Sequence, residues 1–268
     1  YRRQRQMCIR DRSRASLEFS KLVVSIRSVI GSPPSTLEIS LFTKAPLLIN
    51  AYTKHTVLRG VILQLLTQLV SAKWPTDSPS LLSHLGDHHT SVLLASVSAD
   101  LQHKFDDFKV KKYLYDFFSA VVEGNQKGLS MIFLNGRDIR DTTKKQSSIL
   151  DVLKNNVGRL DYYPESLSIH LVEAIAHAFN SWSSKKEEND VEFIQTLVKK
   201  LSDFKTGSSD LKNDGDIIQE AYRYKLNSRI AEICALFIFT SKDEKASKPV
   251  VDLLSDGKVV ELIKPLYQ

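Results

Sequence analysis

The chain has 268 residues, of which 42% are hydrophobic and only ten are glycine. That much apolar sequence excludes a wholly disordered chain, and so little glycine argues against an all-β protein, which needs a turn about every 8–12 residues. The formal net charge is +6, but residues 1–14 alone hold six arginines and one aspartate. The remaining 254 residues carry 31 basic and 30 acidic groups. A nearly neutral body lacks the basic face that nucleic-acid binding needs.

The first 14 residues differ from the rest of the chain. They resemble a translated sequencing adapter, and we predict that residues 1–14 are a non-native or disordered basic arm. Residues 15–268 are predicted to form one continuous helical array. The most apolar stretch lies between Arg229 and Lys242, and its twelve residues would rise only about 18 Å as a helix. A bilayer core is roughly 30 Å thick, so we predict no transmembrane segment.

The first predicted helix runs from Ala15 to Ile30. Its apolar residues recur at intervals of three and four, as on one face of a helix. They are Leu17, Leu22, Val23, Ile26, Val29 and Ile30. Gly31 and the prolines after it end this helix, because proline lacks the amide that the next turn would use. Ser35 and Glu38 have the spacing of a capping box, which predicts that a second helix begins there.

Helical periodicity continues along the rest of the chain, interrupted at proline, glycine and polar clusters. Ser78 and Pro79 suit the cap and first position of a short helix that Gly86 closes. Asn135 and Gly136 suit a left-handed C-cap. A helix after Pro164 carries the clearest apolar stripe, formed by Leu167, Leu171, Val172, Ile175, Phe179 and Trp182. The other predicted helices span 46–70, 90–99, 109–123, 125–134, 144–156, 191–204 and 216–240, with one or two more in 249–265.

These eleven or twelve helices have mostly short connections, and no convincing period-two strand lies between them. Short connections force neighbouring helices to run antiparallel. One helix pair cannot bury both of its apolar stripes alone, so pairs must stack. We therefore predict an all-α fold, an irregular α-solenoid of stacked antiparallel helix pairs. A compact helical domain is the alternative.

One histidine group lies near the middle of the first half of the chain. His84, His88 and His89 surround Asp87 in the manner of metal ligands. Gly86, however, breaks the helix that would place residues 84 and 88 on one face, and no cysteine lies near. We predict a solvated loop here and no metal site.

A second group is His170, Glu173 and His177, which share one face of the helix after Pro164. Zinc sites of the His-Glu-x-x-His type need ligands four residues apart, so we interpret this row as a boundary against the next helix. The stretch 210–215 resembles a calcium loop, but lysine occupies its third ligand position and Ala221 its twelfth. We expect no metal at either place.

The stretch 124–130 is similar to a phosphate-binding loop only superficially. A P-loop follows a buried strand and ends in Gly-Lys-Ser/Thr, whereas here a helix precedes it and the lysine is displaced. Neither Cys8 nor Cys234 has a convincing neighbouring base, and two cysteines give no disulfide framework. We predict no catalytic, cofactor-binding or metal-binding residue, no cofactor and no enzymatic activity.

Three lysine pairs are offset by nearby acids, which predicts solvated helix ends rather than a nucleic-acid site. The pairs are Lys144–Lys145, Lys185–Lys186 and Lys199–Lys200, and the acids include Asp141, Glu187, Glu188 and Asp203. The aromatic side chains occupy stripe positions and are interpreted as core; they include Phe117, Phe118, Phe133, Phe179 and Trp182.

Several segments carry a resemblance in their order and spacing. They are Leu69–Pro75, Pro79–Gly86, Tyr115–Gly136, Ile149–Leu153 and Leu171–Trp182. Together they resemble the nucleoporin one-eighty-eight family in its fungal form, with the sister family of nucleoporin one-ninety-two as the nearest alternative. The resemblance is strongest over 57–205.

The resemblance implies an interior fragment of a large scaffold protein, a curved karyopherin-like superhelix in the inner ring of the nuclear pore complex. It implies a location at the nuclear envelope and a role in nucleocytoplasmic transport of protein and mRNA. The implied partners are a coiled-coil inner-ring nucleoporin, linker segments of phenylalanine-glycine nucleoporins, and transport receptors. The alternative is a helical-repeat transport receptor or adaptor that carries protein cargo.

Overall fold

A computed structural model of the chain describes residues 2–74, 77–103, 107–138, 141–145, 148–181, 190–204, 214–240, 244–257 and 260. Within these ranges the chain forms twelve α-helices and one short β-hairpin. The helices are α1 (Arg2–Val29), α2 (Thr36–Thr43), α3 (Ala45–Lys54), α4 (Arg59–Ser71), α5 (Leu81–Gln102), α6 (Phe108–Glu123), α7 (Lys127–Asn135), α8 (Ile149–Val157), α9 (Glu165–Asn180), α10 (Asp190–Asp203), α11 (Asp214–Thr240) and α12 (Glu244–Ser255). The fold is therefore all-α, as predicted.

The helices separate into two compact units, residues 1–149 and 150–268. In unit 1, α1 packs against α4, while α3 and α4 each pack against the second helix after them, α5 and α6 respectively. In unit 2 the same relation joins α9 to α11 and α10 to α12. Contact between every second helix is typical of stacked helix pairs. Each unit thus has the packing of an α-solenoid, while the prediction of one continuous array over 15–268 stays a prediction.

The basic arm is helical in the structure. Helix α1 continues without a break from Val29 back to Arg2, through the arm that we predicted to be non-native or disordered. Arginine, glutamine and methionine all have high helix propensity, so the arm extends a helix that the following residues already form. Whether these residues are native stays a prediction.

Two predicted caps are confirmed. The Leu37 amide donates to Ser35 Oγ at 3.2 Å, and the Ser35 amide donates to Glu38 Oε2 at 2.7 Å, which completes the capping box of α2. At the end of α7, Gly136 adopts the left-handed conformation with φ 61°. Glycine reaches this region without the Cβ clash that other residues suffer, so the chain can turn there.

The turn at Gly136 leads into a hairpin that we did not predict. Strands β1 (Arg137–Asp138) and β2 (Asp141–Lys145) pair antiparallel, so the helix predicted over 144–156 begins instead at Ile149. The hairpin residues are almost all polar and show no alternation of apolar and polar positions. A two-stranded ladder held by the backbone leaves no periodic signal in such a sequence.

The long helix predicted over 46–70 is also wrong, because the chain divides it into α3 and α4. His55 is extended (φ −129°, ψ 94°) and a 3₁₀ turn, Thr56–Leu58, follows it. Neither proline nor glycine marks this break, and apolar residues recur at helical spacing before and after it. Arg59 Nε donates to the Tyr52 carbonyl at 3.2 Å and so satisfies an oxygen that the break exposes.

Helix α5 combines the helices predicted over 79–86 and 90–99. Gly86 has non-helical angles (φ 64°, ψ −177°) and kinks the helix where we predicted its end. Ser80, not Ser78, is the N-cap, since Ser80 Oγ accepts from the Ser83 amide at 3.2 Å. Thr90 Oγ1 donates to the Gly86 carbonyl at 2.6 Å and holds the kink from the far side.

The buried side chain of Gln126 fastens the start of α5. Its Oε1 accepts from the Leu81 amide at 2.8 Å, while its Nε2 donates to the Pro79 carbonyl at 2.9 Å and to Ser78 Oγ at 3.2 Å. One side chain thereby satisfies an orphan amide of the helix and two acceptors before it. The connection that precedes α7 and the one that precedes α5 are locked together.

The predicted apolar stripe of α9 is confirmed over its described part. Leu167, Leu171, Val172, Ile175 and Phe179 are all buried. Trp182 and the lysine pair Lys185–Lys186 lie outside the described residues. Among the helices that the structure describes, none is long and apolar enough to cross a membrane.

Candidate protein-contact surface

Helix α1 carries a row of large apolar side chains that face solvent. Phe19 is 67% exposed, Leu22 54%, Ile26 51% and Val29 83%. With the exposed Ala15, these residues follow the spacing 4-3-4-3 along the helix. We call Ala15, Phe19, Leu22, Ile26 and Val29 the outer stripe.

The side of α1 that faces the protein core is different. Val24 is buried, and Lys21 Nζ donates to Gln64 Oε1 of α4 at 3.0 Å. An advance of about 100° per residue places Val24 about 140–160° around the helix from Leu22, Ile26 and Val29, with Lys21 on the flank between Val24 and these residues. The apolar residues predicted on one face of α1 therefore point largely outward, and α4 packs on a more polar face.

The spacing of the outer stripe says what kind of surface it matches. A 4-3-4-3 repeat averages 3.5 residues, the repeat with which two helices keep their apolar rows in contact. Apolar side chains scattered singly on a surface are ordinary, but a contiguous row is typical of a protein contact site. The outer stripe is the strongest candidate functional surface in the described part of unit 1.

Unit 2 has an open groove of about 620 Å³ between α8 and α10. The groove is lined by Asp151, Lys154, Asn155, Gly158, Glu192, Phe193 and Thr196. Lys154 Nζ forms an ion pair with Asp190, which is only 2% exposed, and lies 5.7 Å from the centre of the Phe179 ring. Because Lys154, the lysine that lines the groove, is already paired with a buried carboxylate, we interpret the pair as a structural link between α8 and α10.

In the row His170, Glu173 and His177, the carboxylate of Glu173 contacts α11. Glu173 Oε1 lies 2.9 Å from Lys225 Nζ and 3.5 Å from Arg229 Nε, both on α11. Burial alone would raise the pKa of Glu173, but the hydrogen bond and charge of Lys225, with the charge of Arg229, outweigh burial and lower it. This carboxylate is an anchor between α9 and α11, which agrees with the interpretation of a boundary row.

The other histidine group lies around the kink of α5. His84 Nδ1 lies 2.8 Å from the Ser80 carbonyl, and its ring centre is 5.8 Å from that of Phe42. His89 Nε2 lies 3.5 Å from Asn50 Nδ2, and its ring contacts that of His88 edge-on. Within the residues that the structure describes, no three His, Cys, Asp or Glu side chains converge on a metal position.

The glycines of the stretch 124–130 serve helix packing. A Cβ on Gly124 would lie 2.6 Å from the Ala120 carbonyl and 3.0 Å from the Val70 carbonyl, and one on Gly128 would lie 2.7 Å from Leu82 Cδ2. Gly124 therefore leaves no room for a side chain between two backbone carbonyls, whereas a Cβ on Gly128 would require the Leu82 side chain to move. Nothing in this geometry forms a phosphate cradle.

The remaining candidates have ordinary surroundings. Cys234 is buried on α11, and burial raises the pKa of its thiol to about 12, while Cys8 is exposed on α1. Lys200 of the pair Lys199–Lys200 forms an ion pair with Asp161. Only residues 214 and 215 of the calcium-like loop lie within the described ranges, and they begin α11.

Sequence reasoning missed the features that matter most for contacts. It identified the apolar spacing of α1 but not which side of α1 the rest of the chain would cover. It did not find the Lys154–Asp190 pair or the Glu173 anchor, because each joins residues that are far apart in sequence. The 4-3-4-3 spacing of the outer stripe was the one available signal, since a stripe buried in a globular core is usually broader than two positions per heptad.

Stacked helices of unequal length, without a common repeat motif, define the class of irregular α-helical repeat proteins. Residues 5–137 match the family model described as nucleoporin Nup188, N-terminal subdomain III. Over 94% of its length the chain is 34% identical to nucleoporin NUP188 of Saccharomyces cerevisiae. Over 88% of its length it is 25% identical to nucleoporin nup184 of Schizosaccharomyces pombe.

The chain belongs to the Nup188 family of nucleoporins. It spans 16% of the length of each of these two relatives. The family model covers most of unit 1, and the similarity to the budding-yeast protein extends through unit 2 as well.

Proposed function

We propose that this chain is part of a scaffold nucleoporin, which supports assembly of the inner ring of the nuclear pore complex and so nucleocytoplasmic transport. It acts through protein–protein contacts at the nuclear envelope and without catalysis. The observation that carries the proposal is its similarity to two fungal nucleoporins over most of its length. Its proposed partners are other nucleoporins, namely a coiled-coil inner-ring nucleoporin and linker segments of phenylalanine-glycine nucleoporins.

We further propose that the outer stripe of α1 receives an amphipathic helix of the same longer protein. The 3.5-residue repeat favours a helix over an extended segment as the occupant. The chain spans only 16% of the length of its relatives, so most of the helices near it in such a protein come from the same polypeptide. Burial of four large side chains would contribute several kcal/mol, at roughly 1.5–3 kcal/mol for each.

The experiment for the scaffold role is to tag the full-length protein in its own cells and bleach the nuclear rim. A scaffold stays in place, so we expect rim fluorescence that recovers slowly, beside a tagged transport receptor that recovers fast in the same cells. Rapid exchange with nucleoplasm or cytosol would favour the carrier alternative and would contradict the proposal.

The experiment for the outer stripe is the double variant Leu22→Asp and Ile26→Asp. In the chain alone both side chains face solvent, so the free energy of unfolding should change little. In the full-length protein the same double variant should reduce the amount of protein or its fluorescence at the nuclear rim, because two charges would face an apolar helix. Equal tolerance in both settings would exclude a helix on this face.

A further inference from the structure

The connection between α1 and α2 contains Ser32 followed by Pro33, and we propose that Ser32 is a phosphorylation site for a proline-directed serine/threonine kinase. Proline holds the residue before it in an extended conformation and Pro34 prolongs that conformation. Kinases of this class bind such a segment. Ile30, Gly31 and Pro33 are exposed around the serine.

The structure distinguishes Ser32 from the other Ser-Pro dipeptide in the chain. Ser78 Oγ accepts a hydrogen bond from the buried Gln126 side chain, and the Pro79 carbonyl accepts another. Among the residues that the structure describes, the Ser32 hydroxyl has no hydrogen-bond partner, and the Ser32 amide donates to the Arg27 carbonyl at 2.9 Å after the left-handed Gly31. A kinase can therefore engage the Ser32 hydroxyl without breaking a side-chain contact, but it would have to release Ser78 from Gln126.

The surroundings of Ser32 also suit the product. Ser32, Arg27 and Lys73 line one small cavity of about 60 Å³, together with Glu38. Arg27 Nη2 donates to the Pro33 carbonyl at 2.7 Å, and Arg27 Nε lies 3.0 Å from Glu38 Oε1. Before modification the cavity holds two cations and one carboxylate. A phosphoserine adds about −1.5 to −2 charges at neutral pH, which the two cations oppose.

The reaction is an ordinary phosphoryl transfer from MgATP. The Ser32 Oγ–P bond forms, the bond between the γ-phosphorus and the β,γ-bridging oxygen breaks, ADP leaves, and the hydroxyl proton passes to the kinase base. The phosphate then pairs with Lys73 and competes with Glu38 for Arg27. Since Arg27 lies on α1 and Glu38 on α2, the modification acts on the ion pair that joins these two helices.

The first experiment treats the folded chain with MgATP and a purified mitogen-activated protein kinase, and maps the product by mass spectrometry. We expect phosphate on Ser32, its complete loss in Ser32→Ala and in Pro33→Ala, and full retention in Ser78→Ala. A urea-unfolded sample serves as the control, because both serines are then accessible. Phosphate on Ser32 in the unfolded sample but not in the folded one, or on Ser78 alone, would overturn the proposal.

The second experiment follows the phosphorus signal of phospho-Ser32 during a pH titration. Two nearby cations favour the dianion, so its second pKa should lie below the value of about 6 that is typical of phosphoserine. Lys73→Ala should raise that pKa, whereas Lys112→Ala on the exposed side of α6 should leave it unchanged. A titration identical to that of a free peptide with the same sequence would refute the pairing with Arg27 and Lys73.

Discussion

Charged side chains link helices inside both units, and each pair joins residues distant in sequence. Lys154 of α8 meets Asp190 at the start of α10, and Arg59 Nη1 of α4 meets Asp100 Oδ1 of α5 at 2.8 Å. Removal of one partner from such a pair leaves an uncompensated buried charge, which costs more than the intact pair contributes. Single substitutions that remove one partner of such a pair should therefore have large effects on the free energy of unfolding.

Asp190→Asn should destabilise the chain strongly. Lys154 would keep its charge with only 11% of its side chain exposed, so we expect a loss of about 3 kcal/mol or more in the free energy of unfolding. Urea denaturation followed by circular dichroism measures this loss.

The matched control for that variant is Asp161→Asn. Asp161 is 73% exposed in its pair with Lys200, so its loss should cost less than about 1 kcal/mol. A second variant, Lys154→Met with Asp190→Leu, should recover most of the stability. Equal losses for Asp190→Asn and Asp161→Asn would contradict the assignment of a buried pair.

Glu38 makes the stability of unit 1 depend on pH. Burial alone would raise its pKa, but hydrogen bonds with Ser35 and the charge of Arg27 lower the pKa below its ordinary 4.5. A carboxyl group whose pKa is lower in the folded chain than in the unfolded chain stabilises the fold at pH values above the unfolded-state pKa. That stabilisation is lost as the pH falls through the folded-state pKa. The urea concentration at the unfolding midpoint of the wild-type chain should therefore decrease as the pH is lowered below about 4.5, and Glu38→Gln should reduce this decrease. Identical pH profiles for the two proteins would show that Glu38 does not contribute.

Gly124→Ala should destabilise unit 1 by about 1–3 kcal/mol, because the new Cβ would meet two backbone carbonyls that can move only with their helices. Gly158→Ala is the control, since its Cβ would lie 3.6 Å from the nearest atom, the Asn155 carbonyl oxygen. That variant should change stability by no more than about 0.5 kcal/mol. Thermal unfolding of the two variants, measured side by side, checks the difference.

At the scale of single elements, caps and stripes were predictable while helix partners were not. The capping box of Ser35 and Glu38 and the left-handed Gly136 were correct, because each depends on residues within one turn. The break at His55 has no local signature, since it results from how α3 and α4 pack on α5 and α6. Periodicity identified the apolar face of α1 but not whether another helix covers it.

The exposed outer stripe predicts how the chain behaves alone. A contiguous apolar row promotes self-association, so we expect the isolated chain to form oligomers or aggregates at high concentration. Leu22→Gln with Ile26→Gln should shift sedimentation toward the monomer. The control is Val24→Gln on the opposite, buried face of α1, which should lower the melting temperature without reducing association. A monodisperse wild-type monomer would contradict the prediction.

At the scale of the whole molecule, the class of fold followed from the sequence, because helices with short connections have few ways to bury their stripes. The division into units at residue 149 did not, since it depends on which helices touch. The metal and phosphate motifs were rejected on residue type, spacing and predicted local structure. The packing roles of Gly124 and Gly128 appeared only with the neighbouring helices in place.

We propose that residues 15–268 nevertheless unfold as one array. The chain has two tryptophans, Trp74 in unit 1 and Trp182 in the sequence of unit 2. Trp182→Phe leaves a reporter for the first unit, and Trp74→Phe leaves one for the second. Coupled neighbours in a solenoid unfold together, so the fluorescence midpoints in urea should coincide with the midpoint from circular dichroism. Two separate midpoints would show that the units unfold independently.

The hydrogen bonds of the buried Gln126 side chain restrict where insertions and deletions can occur in this family. Its amide reaches three backbone or hydroxyl groups within four consecutive residues, Ser78 to Leu81. An insertion before Ser78 would leave the spacing of these three groups unchanged. An insertion or deletion between Ser78 and Leu81 would move some of them out of hydrogen-bond reach of the Gln126 amide. Insertions and deletions among relatives should therefore lie before Ser78 and not between Ser78 and Leu81.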